Sequence, residues 1–155
     1  LKRLKVIGKD VMIINSAKDT RSHEEILKTH DNVKFDCHKV FDLFEIINTD
    51  EFDRADIIAI DEAQFFPRLK KFVECCLHVK KSVILAGLDA DSFQDKFGEL
   101  IDCIPLACDV TKLSALCMRC NDGTLGPFTK RIVDDKTLEL IGGSDMYIAT
   151  CRNHL

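Results

Sequence analysis

The chain has 155 residues, 46% of them hydrophobic and 31% charged, with a formal net charge of -4. That is length and apolar content enough for a real core, while the acidic balance argues against a nucleic-acid binder that works by neutralising phosphates. No apolar run is long enough to span a membrane and no charged start leads into an apolar stretch as in a signal peptide, so the chain reads as cytosolic or nuclear and its eight cysteines as reduced thiols.

Residues 1–9 are a basic and apolar mixture without a start signal, which reads as the tail of a helix that something precedes. Val11-Met12-Ile13-Ile14-Asn15 predicts a buried strand. The polar segment behind it, residues 16–23, is either a loop able to reach phosphates or a solvated turn. A short strand is expected around residues 33–35, then a helix over residues 40–47 with Val40, Phe44 and Ile47 as its core face. Asp56-Ile57-Ile58-Ala59-Ile60-Asp61 is a continuous apolar run between two acids, the pattern of a parallel strand buried on both faces. Asp61 and Glu62 follow at its carboxyl end, the edge where open α/β sheets bind ligands. A carboxylate pair there can hold a metal and accept a proton. The alternative is an ordinary helix start, with Asp61 as cap and Glu62 facing water.

Residues 67–79 predict a helix, with Leu69, Phe72, Val73, Cys76 and Leu77 at helical spacing behind Pro67. A second buried strand is expected over residues 82–88. Strands alternating with helices are the signature of a doubly wound α/β sheet. The polar loop at residues 89–98 carries Phe93 and Phe97, which either wall a slot for a flat ligand or anchor the loop to the core. Residues 99–104 read as a short helix stopped by Pro105, and residues 110–116 as a strand. Cys37, Cys75, Cys76, Cys103 and Cys108 sit among apolar neighbours and are expected as small buried hydrophobes.

Cys117-Met118-Arg119-Cys120 and, after thirty residues, Cys151-Arg152-Asn153-His154 form two knuckles. Each supplies two ligands on one tight turn, and three thiolates with one imidazole complete a zinc tetrahedron. A closed set leaves no position for water, so this metal is expected to hold the fold. Between the knuckles, Gly142-Gly143 either lets the backbone approach a ligand or turns a hairpin.

Taken together, Ile60-Asp61-Glu62-Ala63-Gln64-Phe65-Phe66, Ala86-Gly87-Leu88-Asp89, Phe93-Gln94, Phe97-Gly98, the two knuckles, Phe128-Thr129-Lys130-Arg131 and Ile141-Gly142-Gly143-Ser144-Asp145-Met146-Tyr147 resemble the cytosolic-type thymidine kinases. Ala17-Lys18-Asp19-Thr20-Arg21 and Thr29-His30 add to the likeness, which runs in order from about residue 11 to the end. The resemblance implies a P-loop-NTPase-like parallel sheet with helices on both faces over residues 1–108. It also implies a zinc-ribbon domain with a lasso loop over residues 109–155, a cytoplasmic homotetramer, and transfer of the γ-phosphate of ATP to the 5′-hydroxyl of thymidine, deoxyuridine being a further candidate acceptor.

Residue by residue, Glu62 resembles the general base, Asp61 the acid that positions magnesium, and Arg21 a group that steadies phosphates. Phe65, Leu88, Phe93 and Phe97 resemble the walls around thymine. Thr129 and Tyr147 stand where relatives touch the base, and Ile141, Gly142 and Gly143 where backbone groups read its edge. His154 replaces a cysteine that many relatives carry, an extra residue at Asp91-Ser92 precedes Phe93, and no proline precedes Phe97. Two rival readings are a DExx-type ATPase, from Asp61-Glu62-Ala63-Gln64, and a non-catalytic zinc-ribbon binding module. The family's phosphate loop, Gly-x-x-x-x-Gly-Lys-Ser/Thr, does not occur, and Gly8 is the only glycine before Gly87. These residues by themselves are therefore expected not to phosphorylate thymidine, and to be aggregation-prone for want of a central strand.

Overall fold

A computed structural model describes residues 6–19, 26–28, 33–133 and 145–155. The chain divides into two compact units, Leu1–Asp89 with Phe97–Pro105, and Ala90–Lys96 with Leu106–Leu155.

The first unit is built on a parallel sheet of four strands in the order β4 (His38–Val40), β1 (Val11–Ser16), β5 (Ile57–Asp61), β6 (Ser82–Leu85). The continuous apolar runs give β1 (Val11–Ser16) and β5 (Ile57–Asp61), which lie side by side in register from Val11 opposite Ile57 to Asn15 opposite Asp61. Both are buried along nearly their whole length, as strands covered on both faces must be. β4 (His38–Val40) flanks β1, and β6 (Ser82–Leu85) flanks β5. β6 alternates between half-buried and exposed residues because it is an edge of the described sheet, so the expectation of a second fully buried strand through residue 88 fails, and its ladder stops at Leu85.

Helix α2 (Leu69–His78) buries Leu69, Phe72, Val73 and Cys76, the i, i+3, i+4, i+7 face that the sequence predicts, but leaves Leu77 exposed. The helix expected over residues 40–47 is absent. Val40 ends β4, Asp42 caps a single 3-10 turn at Leu43–Glu45 through a capping box, and the buried residues are Leu43 and Ile46 instead of Phe44 and Ile47. A separate short helix, α1 (Asp50–Arg54), starts on Thr49, whose hydroxyl accepts the Phe52 N–H at 3.2 Å. Phe44 and Phe52 both meet the ring of Phe72 edge-on. β2 (Ile26–Lys28) and β3 (Lys34–Asp36) form a small antiparallel pair of which only β3 was expected.

Pro105 does not stop a helix but lies within the 3-10 segment Ile101–Leu106. In the second unit the strand expected over residues 110–116 shrinks to β7 (Ala115–Leu116), paired with β8 (Leu125–Gly126). β9 (Phe128–Arg131) and β10 (Tyr147–Thr150) form an antiparallel pair. Cys37, Cys76 and Cys103 are buried as expected, whereas Cys75 is half-buried and Cys108 is exposed.

Burial pushes the Cys76 thiol up to about 12 from an ordinary 9.0, with Cys75 adding to the rise. The folded state therefore holds this proton more tightly than the unfolded chain does, so its stabilising effect is complete below about pH 9 and is lost as pH climbs toward about 12. Cys76→Ala is expected to cost about 1 kcal/mol at neutral pH through the cavity it leaves, and to flatten the alkaline fall in stability seen by denaturant titration. An unchanged alkaline slope would contradict this.

Candidate active site and metal centre

The two knuckles converge. Cys117 follows β7, and the turn behind it is closed by Asn121, at φ 55°, and Gly123, at φ 91°. Its backbone N–H donates to the Thr124 carbonyl at 2.7 Å, and that of Met118 to Ala149 at 2.9 Å, which sets the first knuckle against β10. Cys151 leads directly from β10 into the 3-10 turn Arg152–His154. The four ligand atoms of Cys117, Cys120, Cys151 and His154 all lie within 4.8 Å of one another. His154 Nδ1 stands 3.7 Å from Cys117 Sγ, 3.3 Å from Cys120 Sγ and 3.4 Å from Cys151 Sγ, and the last two sulfurs are 3.7 Å apart. Tetrahedral zinc with ordinary bond lengths would set such atoms about 3.5–3.8 Å apart, so the donor set fits that ion.

The thiols are not equivalent. Burial of Cys117 resists ionisation, but the backbone N–H groups of Cys151, Arg119 and Cys120, with His154, outweigh it and lower its pKa to about 6. Burial, reinforced by the Cys117 and Cys151 thiols, pushes Cys120 up to about 11. A divalent metal would hold these thiols as thiolates and so release protons on binding.

At the carboxyl end of β5, Asp61 is half-buried and closes the strand. Glu62 follows in the left-handed region, φ 50° and ψ 41°, at the N-cap position of the 3-10 turn Ala63–Phe65 but without a side-chain capping bond to it. Its carboxylate accepts a hydrogen bond from Gln64 Nε2 at 2.7 Å. Beside Asp61 on the neighbouring strand lies Asn15, whose amide donates to Asp19 Oδ2 at 3.3 Å. Asn15 and Asp19 are buried, and Lys39 Nζ donates to the Asp19 carbonyl at 2.9 Å. A buried polar group therefore gathers on the edge of a parallel sheet where ligands bind. Sequence reasoning gives Asn15 and Gln64 no individual role and reads Asp19 only as part of the polar loop at residues 16–23.

Of the expected apolar walls, Phe65 and Phe97 meet edge to face at 5.4 Å in the first unit, the Lys18 ammonium lies 6.0 Å from the Phe65 centroid, and Leu88 is 43% exposed. In the second unit Asp91 is buried and accepts the N–H groups of Phe93 and Asp95, at 2.8 and 3.0 Å, which holds the loop with Phe93 exposed. The Arg131 guanidinium lies 5.7 Å from the Phe93 ring and donates to the Tyr147 hydroxyl at 3.0 Å across the β9–β10 pair, where Thr129 faces Ala149. Arg21, Ile141, Gly142 and Gly143 lie outside the described residues.

Comparison with known proteins supplies a further observation. The family model described as thymidine kinase matches residues 1–155. A protein named thymidine kinase a, from Arabidopsis thaliana, is 42% identical over 153 residues, covering 95% of this chain and 63% of the relative. A rice thymidine kinase is 41% identical, with 95% and 55% covered, and a cytosolic thymidine kinase from Bos taurus is 36% identical, with 98% and 62% covered. The chain thus spans less than two thirds of the length of these relatives. Among the described residues no helix is long and apolar enough to cross a membrane.

Proposed function

Because the chain belongs to the thymidine kinase family, we propose that it forms the acceptor side of a cytoplasmic kinase that moves the γ-phosphate of ATP to the 5′-hydroxyl of thymidine. The observation that carries this reading is the carboxylate pair at the end of β5, with Glu62 turned out of the strand by its left-handed backbone and joined to a buried amide. In the reaction the 5′-oxygen attacks the γ-phosphorus, an oxygen–phosphorus bond forms as the bond to the β-phosphate bridging oxygen breaks, and ADP leaves. Glu62 takes the hydroxyl proton. Such a transfer asks for an oriented nucleophile and neutralised charge more than for covalent help.

Asp61 is the residue that would hold magnesium, which would supply neutralisation of phosphate charge. Arg21 supports the same phosphates. Phe65, Leu88 and Phe97 in one unit, with Phe93, Thr129, Ile141, Gly142, Gly143 and Tyr147 in the other, are the proposed contacts of the nucleoside. Cys117, Cys120, Cys151 and His154 would hold a zinc ion that would stiffen the second unit, and the complete protein is proposed to be a homotetramer.

Thymidine is expected to raise the melting temperature of the full gene product in proportion to log concentration, with no such rise from single-stranded DNA or adenosine. Neither a DExx-type ATPase nor a non-catalytic zinc ribbon predicts that preference. A thermal scan without thymidine stabilisation would contradict the reading.

A further inference from the structure

Gln64 is 3% exposed, and the two ends of its amide do different things. Oε1 accepts the backbone N–H of Leu88 at 3.0 Å, while Nε2 donates to Glu62 Oε2 at 2.7 Å. A backbone N–H can only donate, so the Leu88 bond decides which way the amide points and leaves the amino end toward Glu62. That end in turn can only donate, so it holds Oε2 as an acceptor.

Two glycines make room for this arrangement. A Cβ on Gly87 would fall 2.3 Å from Gln64 Oε1, and one on Gly98 would fall 2.1 Å from the Gln64 carbonyl oxygen. Two segments distant from Gln64 in sequence can thus close on it only because neither carries a side chain there. Glu62 itself sits at φ 50°, a region that non-glycine residues seldom occupy, so its backbone must be held by its surroundings.

We infer that Gln64 is the positioning residue of this site: its amide locks the Glu62 carboxylate in one orientation and ties it to the backbone of Leu88. The inference rests on the reading of Glu62 as the general base. Satisfying a buried amide does not require a carboxylate partner, whereas a charge-assisted bond to the proposed base restrains the one group whose orientation the proton transfer depends on. Through Leu88, the proposed base and a proposed wall of the nucleoside site become one rigid piece.

The test is a double-mutant cycle in the full gene product, reading kcat and thymidine KM, with thymidine Kd by calorimetry, for Gln64→Met, Glu62→Gln and the pair. Gln64→Met is expected to lower kcat by about tenfold to a hundredfold through misplacement of the base, with Kd kept within about twofold. In the Glu62→Gln background it should add no further loss, since both changes act through one group. Gln64→Glu keeps the length and the acceptor for Leu88 but replaces the donor to Glu62 with a second carboxylate, so it should fold and lose kcat at least as severely.

Near-normal kcat in either Gln64 variant, alongside a crippled Glu62→Gln, would overturn the inference. So would a Gln64→Met loss that adds in full to that of Glu62→Gln, which would mark a role independent of Glu62. Failure of both Gln64 variants to fold would overturn it as well, by assigning the amide to the fold. Near-normal turnover by Glu62→Gln is a distinct result: it removes the base assignment itself and the inference with it.

Discussion

Stripping zinc with a strong chelator is expected to unfold or aggregate the C-terminal unit, and metal analysis of the untreated protein to find one zinc per chain. Among the described residues of that unit, only Asp91, Cys117, Gly126, Thr150 and Cys151 are buried, and two of these are proposed ligands. A core that small cannot offset the entropy of ordering two strand pairs. A closed zinc site contributes on the order of 10 kcal/mol to folding, so a zinc bound here would do what apolar burial does in the first unit. The strands would depend on it directly: a Cβ on Gly126 would lie 2.9 Å from Cys117 Cα and 3.1 Å from Thr150 N, so the knuckle, β8 and β10 meet at one point. Cys117→Ser should reproduce the chelator's effect. Protein without stoichiometric zinc, or with an unfolding curve that chelation leaves unchanged, would contradict this.

What the sequence made legible was whatever a short window encodes. The runs at Val11–Ser16 and Ile57–Asp61 are apolar over their length, and only strands buried on both faces ask for that. The face of α2 and the two knuckles likewise carry their own spacing. The misreading of residues 40–47 has a physical source: apolar residues three and four apart also arise when a strand runs into one capped 3-10 turn, and Asp42 with Glu45 was the capping signal that should have arbitrated. Residues 110–116 look apolar enough for a strand, yet all are exposed and, among the described residues, only Ala115 and Leu116 join a strand ladder. Edge position, which leaves Ile84 at 41% exposure in β6, depends on which strands neighbour it and not on its own residues. Gln64 was hidden for the same reason. Its work depends on Leu88, Gly87 and Gly98, which come to it only through the fold.

The largest catalytic effect is expected at Glu62. Glu62→Gln keeps the size of the side chain, and its amide oxygen can still accept the bond from Gln64 Nε2, so the fold and the nucleoside contacts should survive. It cannot take a proton at neutral pH. General-base catalysis is worth about a hundredfold to ten-thousandfold, so turnover should fall by that order while thymidine binding changes by less than about twofold. The direct measurement is single-turnover transfer of labelled γ-phosphate from ATP to thymidine by the full gene product, wild type against Glu62→Gln, with thymidine Kd measured on both. Label appearing on the 5′-oxygen at a rate at least about a hundredfold lower in the variant, at matched Kd, is the expected result. No transfer to thymidine by the wild type, or equal rates in the two proteins, would contradict it.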